Sequence, residues 1–196
     1  LTGLGHTFRT KSDTEVIVHA WEAWGERCVE RFRGMFAFAL WDRNRETLFL
    51  ARDRLGVKPL HYALLPDGQL LFGSEIKALL KHPGLDRAID PLAVEEYFAF
   101  GYVAEPRSIY RSVRKLSPAH RLVIRRGEPL GEPRRYWDVP DAPEPAARQQ
   151  LTDRQAVDHF RALLEESVRL RLMADVPLGV FLSGGLDSSA IAALMA

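Results

Sequence analysis

Between residues 35 and 72 the chain alternates short apolar runs with tight polar turns, and that alternation excludes most architectures. Residues 35–41 are apolar almost throughout, and Asp42-Arg43-Asn44-Arg45 then breaks the run. Residues 47–52 return. Leu55-Gly56-Val57-Lys58-Pro59 turns again into residues 60–65, and Pro66-Asp67-Gly68 turns into residues 70–72. Strands this short, joined by connections this tight, have no room for the helical crossovers that parallel neighbours need. The pattern predicts an antiparallel meander. Residues 35–41 carry no polar alternation and are expected to be buried on both faces.

Helices are expected to flank these strands. Ser12-Asp13-Thr14-Glu15 has the form of a capping box, with Glu15 reaching back to the cap. The helix it opens is predicted to run to about residue 32, with Ile17, Trp21, Trp24, Cys28 and Phe32 on one face and Gly34 ending it. Shorter helices are expected at residues 75–81 and 91–100, the second with Asp90 as cap and Pro91 in the favoured first position. Residues 121–125 and 135–137 read as later strands. Residues 138–151 contain Pro140, Pro143 and Pro145 with little apolar content, so they read as a surface linker. Thr152, with Gln155 three residues on, caps a long helix expected to reach about residue 173. The chain therefore divides into residues 1–137, a linker at 138–151, and residues 152–196, in which a helix–strand–helix unit of an α/β domain begins.

Composition narrows the function classes. The apolar share is 46% and the charged share 27%, as in an ordinary globular protein. A net charge of +1 says nothing for or against nucleic acid or membranes, and neither is expected as a partner. No apolar run approaches the ~20 residues of a membrane span. The single cysteine excludes an internal disulfide and fits a cytoplasmic location.

The segment with most chemistry lies near the end. Val176, Leu178, Val180, Phe181 and Leu182 read as a buried strand, Gly184-Gly185 as a turn, and Leu186, Ile191, Leu194 and Met195 as the apolar side of a helix. A strand, a glycine turn and a helix start make an anion site, because the glycines admit a phosphate to the backbone and the helix start points free N–H groups at it. Ser183, Ser188 and Ser189 add hydroxyl donors. Asp187 among them suggests Mg²⁺ bridging to a polyphosphate. The common phosphate-loop pattern GxxxxGK[ST] occurs nowhere in the chain.

The string Ser183-Gly184-Gly185-Leu186-Asp187-Ser188-Ser189 resembles the pyrophosphate loop of the ATP-pyrophosphatase superfamily. Four earlier blocks are similar to the glutaminase domain of glutamine-hydrolysing asparagine synthetases. They are residues 8–16 (FRTKSDTEV), 32–42 (FRGMFAFALWD), 51–60 (ARDRLGVKPL) and 73–79 (GSEIKAL). The resemblance implies an N-terminal-nucleophile glutaminase fold of two antiparallel sheets between helix layers, followed by the start of a synthetase domain. It implies glutamine hydrolysis by an N-terminal cysteine, transfer of ammonia, adenylation of an aspartate carboxylate by ATP and Mg²⁺, and release of asparagine, AMP and pyrophosphate. Adenylation makes chemical sense, since a carboxylate oxygen leaves only when activated.

By the same resemblance Asp13 binds the α-amino group of glutamine. Leu182 contacts ATP through its backbone with its side chain in the core, and Ser183, Gly184, Gly185, Asp187, Ser188 and Ser189 hold the pyrophosphate, Asp187 also contacting Mg²⁺. Arg52, Asp53, Gly56, Lys58 and Pro59 are read as a structural turn and ion pair. Cys28 lies mid-helix on an apolar stripe, so it is expected to be a core thiol and not the nucleophile. His6, His19, His61, His82, His120 and His159 show no metal-ligand spacing.

The nucleophile of the family has no counterpart in these residues. The sequence therefore reads as a fragment truncated at both ends, carrying no catalytic residue of its own and expected to be inactive alone. Two other readings stay open: a homologue that amidates another carboxylate (in polysaccharides, natural products or β-lactam synthesis), and a non-catalytic regulatory paralogue. A homodimer is implied by family analogy alone.

Overall fold

The period-two alternation of two central strands sets the layers of the first unit. The computed structural model describes residues 1–141 and 151–196. It forms two compact units, Leu1–Pro140 and Asp141–Ala196. In the first, α1 (Asp13–Trp24) and a 3-10 segment (Gly25–Arg31) precede β1 (Ala37–Asp42) and β2 (Thr47–Arg52). Then come β3 (His61–Leu64), β4 (Leu70–Gly73), α2 (Ile76–Leu79), α3 (Pro91–Phe100), β5 (Arg114–Lys115), β6 (His120–Arg125) and β7 (Arg134–Arg135).

The strands form two antiparallel sheets, one in the order β1-β2-β6-β7 and one in the order β4-β3-β5. Phe49 and Ala51 of β2 pack with Ala20, Trp21, Cys28 and Val29 of the helical layer. Leu50, one residue away, points to the opposite face and packs with Leu60, Tyr62 and Leu116 of the other sheet. Ala63 and Leu65 then turn outward onto Leu79 and Leu85. The order is helix, sheet, sheet, helix: two antiparallel sheets between helix layers, as the resemblance implies.

Several boundaries differ from the expectations. The meander is broken between β2 and β3, which lie in different sheets. The intervening residues cross from one layer to the next. β1 pairs with β2 as one hairpin, Ala37 opposite Arg52 through to Asp42 opposite Thr47, and β3 pairs with β4 as another, His61 opposite Gly73 through to Leu64 opposite Leu70. β1 is not buried on both faces: Trp41 is 55% exposed. It is the edge strand of the wider sheet, so the narrower sheet leaves part of its inner face uncovered. The first helix ends at Trp24, where Gly25 takes a φ of +56°, and the 3-10 segment carries the apolar stripe on to Phe32. α3, by contrast, starts on Asp90, whose carboxylate accepts the Leu92 N–H at 3.1 Å.

In the second unit Thr152 and Gln155 form a complete capping box at the start of α4 (Asp153–Arg169), and α5 (Leu186–Met195) follows the glycine turn. Residues 176–182 do not form the expected strand. A strand needs a neighbour for its backbone groups, and among the described residues of this unit no other strand exists. Their side chains are accordingly exposed, Phe181 at 99% and Leu182 at 62%, so Leu182 is not a core residue here. Most of the linker expected at residues 138–151 lies outside the described residues. Among those described, no helix is long and apolar enough to cross a membrane.

Candidate functional site

The first unit carries one predicted site residue, Asp13, and the second carries the others, within residues 182–189. In the first, Ser12 caps α1, its hydroxyl accepting the Thr14 N–H at 3.2 Å, and Asp13 is therefore the first helical residue. The expected capping box is not completed: the Ser12 N–H donates to the Thr10 hydroxyl, and Glu15 reaches past Ser12. Its carboxylate accepts the backbone N–H groups of Arg9 and Thr10 at 2.7 Å each, and the Thr10 hydroxyl as well. Those donors, the Arg9 amide first, hold the Glu15 carboxyl down to about 2. The segment before the helix is thereby tied over its first turn, and this fixes where Asp13 stands.

Asp13 lines a pocket of about 530 Å³. Thr14 and Ile17 of α1 share that wall, Met35 and the uncovered part of β1 form the floor, and Lys58 and Ser74 close it from two loops. The edge strand thus has a second role: residues of β1 that are not covered by the core line the pocket. Asp13 is exposed and brings a carboxylate to a cleft lined by apolar side chains together with Thr14, Lys58 and Ser74, which suits an amino group on a ligand that also carries polar groups.

The Lys58 loop is built from below. Asp53, 1% exposed, accepts the N–H groups of Leu55, Val57 and Lys58 at 3.2, 3.0 and 3.0 Å, and that of Phe36 at 3.3 Å. Arg52 donates to the carbonyls of Gly56, Lys58 and Leu116 at 2.7, 2.8 and 2.7 Å and pairs with Glu105 at 3.3 Å. Two buried charged groups thus satisfy the N–H groups of Leu55, Val57 and Lys58 and the carbonyls of Gly56 and Lys58 in the turn. Arg52 and Asp53 do not pair with each other but hold the turn from opposite polarities. Lys58 and Ser74 at the pocket were not assigned to a site from sequence. Both lie in family-like blocks, but nothing in the blocks says which side chains face the cleft.

Cys28 is fully buried beneath the four-stranded sheet, and burial pushes its thiol up to about 11. A thiol held neutral and sealed from solvent does not act as a nucleophile.

In the second unit the seven-residue loop wraps the first turn of α5. Gly184 has a φ of +80°, open only to glycine without strain. Gly185 is the helix cap and supplies no side-chain acceptor, so the first-turn N–H groups remain for a ligand. The Ser183 and Ser188 hydroxyls lie 2.9 Å apart across the turn, and the Gly185 N–H points to the Ser183 hydroxyl at 3.4 Å. Asp187 and Ser189 are exposed on the first turn. Donors of this kind fit phosphate oxygens, and Asp187 fits a hard cation beside them. Leu182 precedes the loop with its side chain in solvent.

Comparisons with known proteins follow the same division. A family described as glutamine amidotransferase domain matches residues 1–137, and one described as asparagine synthase matches residues 159–196. The chain is similar to glutamine-hydrolyzing asparagine synthetase 3 of Bacillus subtilis, at 42% identity over 200 residues, covering 100% of this chain and 31% of that protein. It is also similar to putative glutamine-hydrolyzing asparagine synthetase 2 of Methanocaldococcus jannaschii, at 37% identity over 189 residues, covering 95% of this chain and 35% of that protein. The chain thus spans about a third of the length of these relatives. Among solved structures it matches the allosteric regulatory enzyme of purine biosynthesis, with a TM-score of 0.46 and 17% identity over 99% of this chain and 38% of that one.

Proposed function

The chain belongs to the glutamine amidotransferase domain family, and from that premise we propose that it is part of a glutamine-dependent asparagine synthetase. In this reading residues 1–137 are the glutaminase domain, 138–151 a linker, and 152–196 the start of the synthetase domain. Asp13 receives the α-ammonium of glutamine at the mouth of its pocket. Hydrolysis of the side-chain amide supplies ammonia.

In the synthetase half the Ser183, Ser188 and Ser189 hydroxyls, with the amides of the Gly184–Gly185 turn, hold the leaving pyrophosphate of ATP, and Leu182 contacts the nucleotide through its backbone. Asp187 would hold Mg²⁺, which neutralises charge on the polyphosphate. The aspartate side-chain carboxylate displaces pyrophosphate from the α-phosphorus. Ammonia then attacks the activated acyl carbon, AMP leaves, and the product is an amide. The reading extends to a cytoplasmic location and a homodimer.

The observation that carries this proposal is the succession of the two family matches along one chain, with Asp13 at the pocket of the first and the seven-residue loop inside the second. The test is kinetic, on the full-length protein. Pyrophosphate release should need ATP and aspartate together, with either glutamine or ammonia as nitrogen donor. Asp13→Asn should raise KM for glutamine by at least about tenfold and leave ammonia-dependent synthesis unchanged. Loss of both activities in parallel, or release supported by a different carboxylate and not by aspartate, would overturn it.

A further inference from the structure

His6 and the pair His19 and Glu22, 13 residues farther on, bring ligand-type atoms to one point. His6 follows the short 3-10 turn Thr2–Leu4, while His19 and Glu22 lie three residues apart on one face of α1. His6 Nδ1 is 3.2 Å from His19 Nδ1, His19 Nδ1 is 2.9 Å from Glu22 Oε2, and His6 Nδ1 is 3.5 Å from Glu22 Oε2. Both imidazoles are about four-fifths buried, with side-chain exposures of 19%.

Each Nδ1 carries either one hydrogen or one lone pair. If His19 Nδ1 carries the hydrogen, that single proton is shared between Glu22 at 2.9 Å and His6 at 3.2 Å as a three-centre bond. If it carries the lone pair, that lone pair faces the Glu22 carboxylate at 2.9 Å. A cation bound by the three atoms takes the place of the shared proton and uses one lone pair from each. The spacing also fits: with metal–ligand bonds of about 2.0–2.1 Å, tetrahedral ligands stand about 3.3–3.4 Å apart. On the far side of the ring, His19 Nε2 is buried without a hydrogen-bond partner and faces Glu15 Oε1 at 3.6 Å. A carboxylate behind the non-ligating nitrogen is what metal-bound histidines commonly have.

We propose that His6 Nδ1, His19 Nδ1 and Glu22 Oε2 bind a divalent transition-metal ion of the zinc class, with a fourth position open to water. The ion clips the segment ahead of the family block at residues 8–16 to the middle of α1. Its role is structural, since it joins residues 13 apart and leaves the Asp13 pocket to its own residues. This inference does not depend on the function proposed above.

The probe is Co²⁺, titrated into the full chain and followed by its visible absorption, with Zn²⁺ as competitor. The expected result is saturable binding at this site, displaced by equimolar Zn²⁺, with His6→Gln, His19→Gln and Glu22→Gln each weakening it by at least about tenfold. His159→Gln, on another helix, should leave it unchanged. Far-UV circular dichroism of each variant monitors folding, and Glu22 is exposed enough that its variant is expected to keep the fold. Absence of saturable Co²⁺ binding, or equal affinity in the parent and in Glu22→Gln, overturns the proposal.

Discussion

The buried carboxylate of Asp53 accepts the backbone N–H of Lys58 at 3.0 Å, and this bond ties the end of β2 to the loop that closes the Asp13 pocket. Three more backbone donors converge on the same carboxylate. Asp53→Ala would remove a carboxylate that is 1% exposed and leave these partly buried amides without their acceptor. A fully buried donor left unsatisfied costs about 1–3 kcal/mol, and water reaching the exposed side of the turn at residues 55–58 recovers part of that. The expected loss is about 2–3 kcal/mol in urea denaturation. Asp53→Asn, which keeps one acceptor oxygen, should fall between the two. A loss under about 1 kcal/mol for the alanine variant would mean that the loop does not depend on Asp53.

Gly56 is required for two separable reasons. Its φ is +64°, and a Cβ there would stand 2.7 Å from Pro118 Cγ and 3.0 Å from Arg52 Cζ. Gly68 has a φ of +85° but open space around it. Gly68→Ala should therefore cost only the left-handed conformation, about 1 kcal/mol. Gly56→Ala should cost that plus overpacking of about 1–3 kcal/mol. The difference between the two variants, read from thermal or urea unfolding, isolates the steric part. Equal effects would remove the clash from the explanation.

These two positions also show how far the sequence could be read. The string at residues 51–60 marked a turn with charged residues, and its structural role was legible. Which atoms Arg52 and Asp53 serve was not, because Leu116 and Glu105 reach Arg52, and Phe36 reaches Asp53, from farther along the chain. Local signals were reliable where the physics is local. Asp90–Pro91 and Thr152–Gln155 start their helices as expected, since a cap depends on neighbours a few residues away. Sheet partners are not local, so the split between β2 and β3 was missed. The apolar run at residues 176–182 read as a buried strand, but a strand is completed by a partner. His6 and His19 showed no metal spacing because their approach is made by the chain folding back, not by a helical repeat.

Tyr136 donates its hydroxyl hydrogen to the carbonyl of Arg52 at 2.7 Å, and burial pushes its phenol up to about 12. The neutral form is the one that folds well. A folded pKa above the ordinary value of 10.0 gives stability that is fully present below pH 10 and lost as pH rises through about 12. Tyr136→Phe should cost about 1 kcal/mol near neutral pH, the net value of one hydrogen bond. Above pH 10 the gap between parent and variant should close, because the parent alone must keep a phenol neutral there. A gap that stays constant from pH 7 to 11 would show that the hydroxyl titrates in solvent.

Cys28 offers the last test, and it bears on chemistry as well as packing. The thiol lies at 0% exposure among Ala20, Trp21, Val29 and Phe49, and burial pushes it up to about 11 from an ordinary 9.0. At pH 8 in native buffer it should resist a thiol reagent such as an aromatic disulfide over hours, then react fully once urea unfolds the chain. The same raised pKa sets a direction for stability. The unfolded thiol ionises above about 9 while the folded one stays neutral, so the native state loses ground as pH rises from 9 through about 11. Cys28→Ala lacks that dependence and should show a shallower loss over this window. Fast native labelling at pH 8 would mean an open, ionisable thiol, and Cys28 would then have to be considered as a nucleophile.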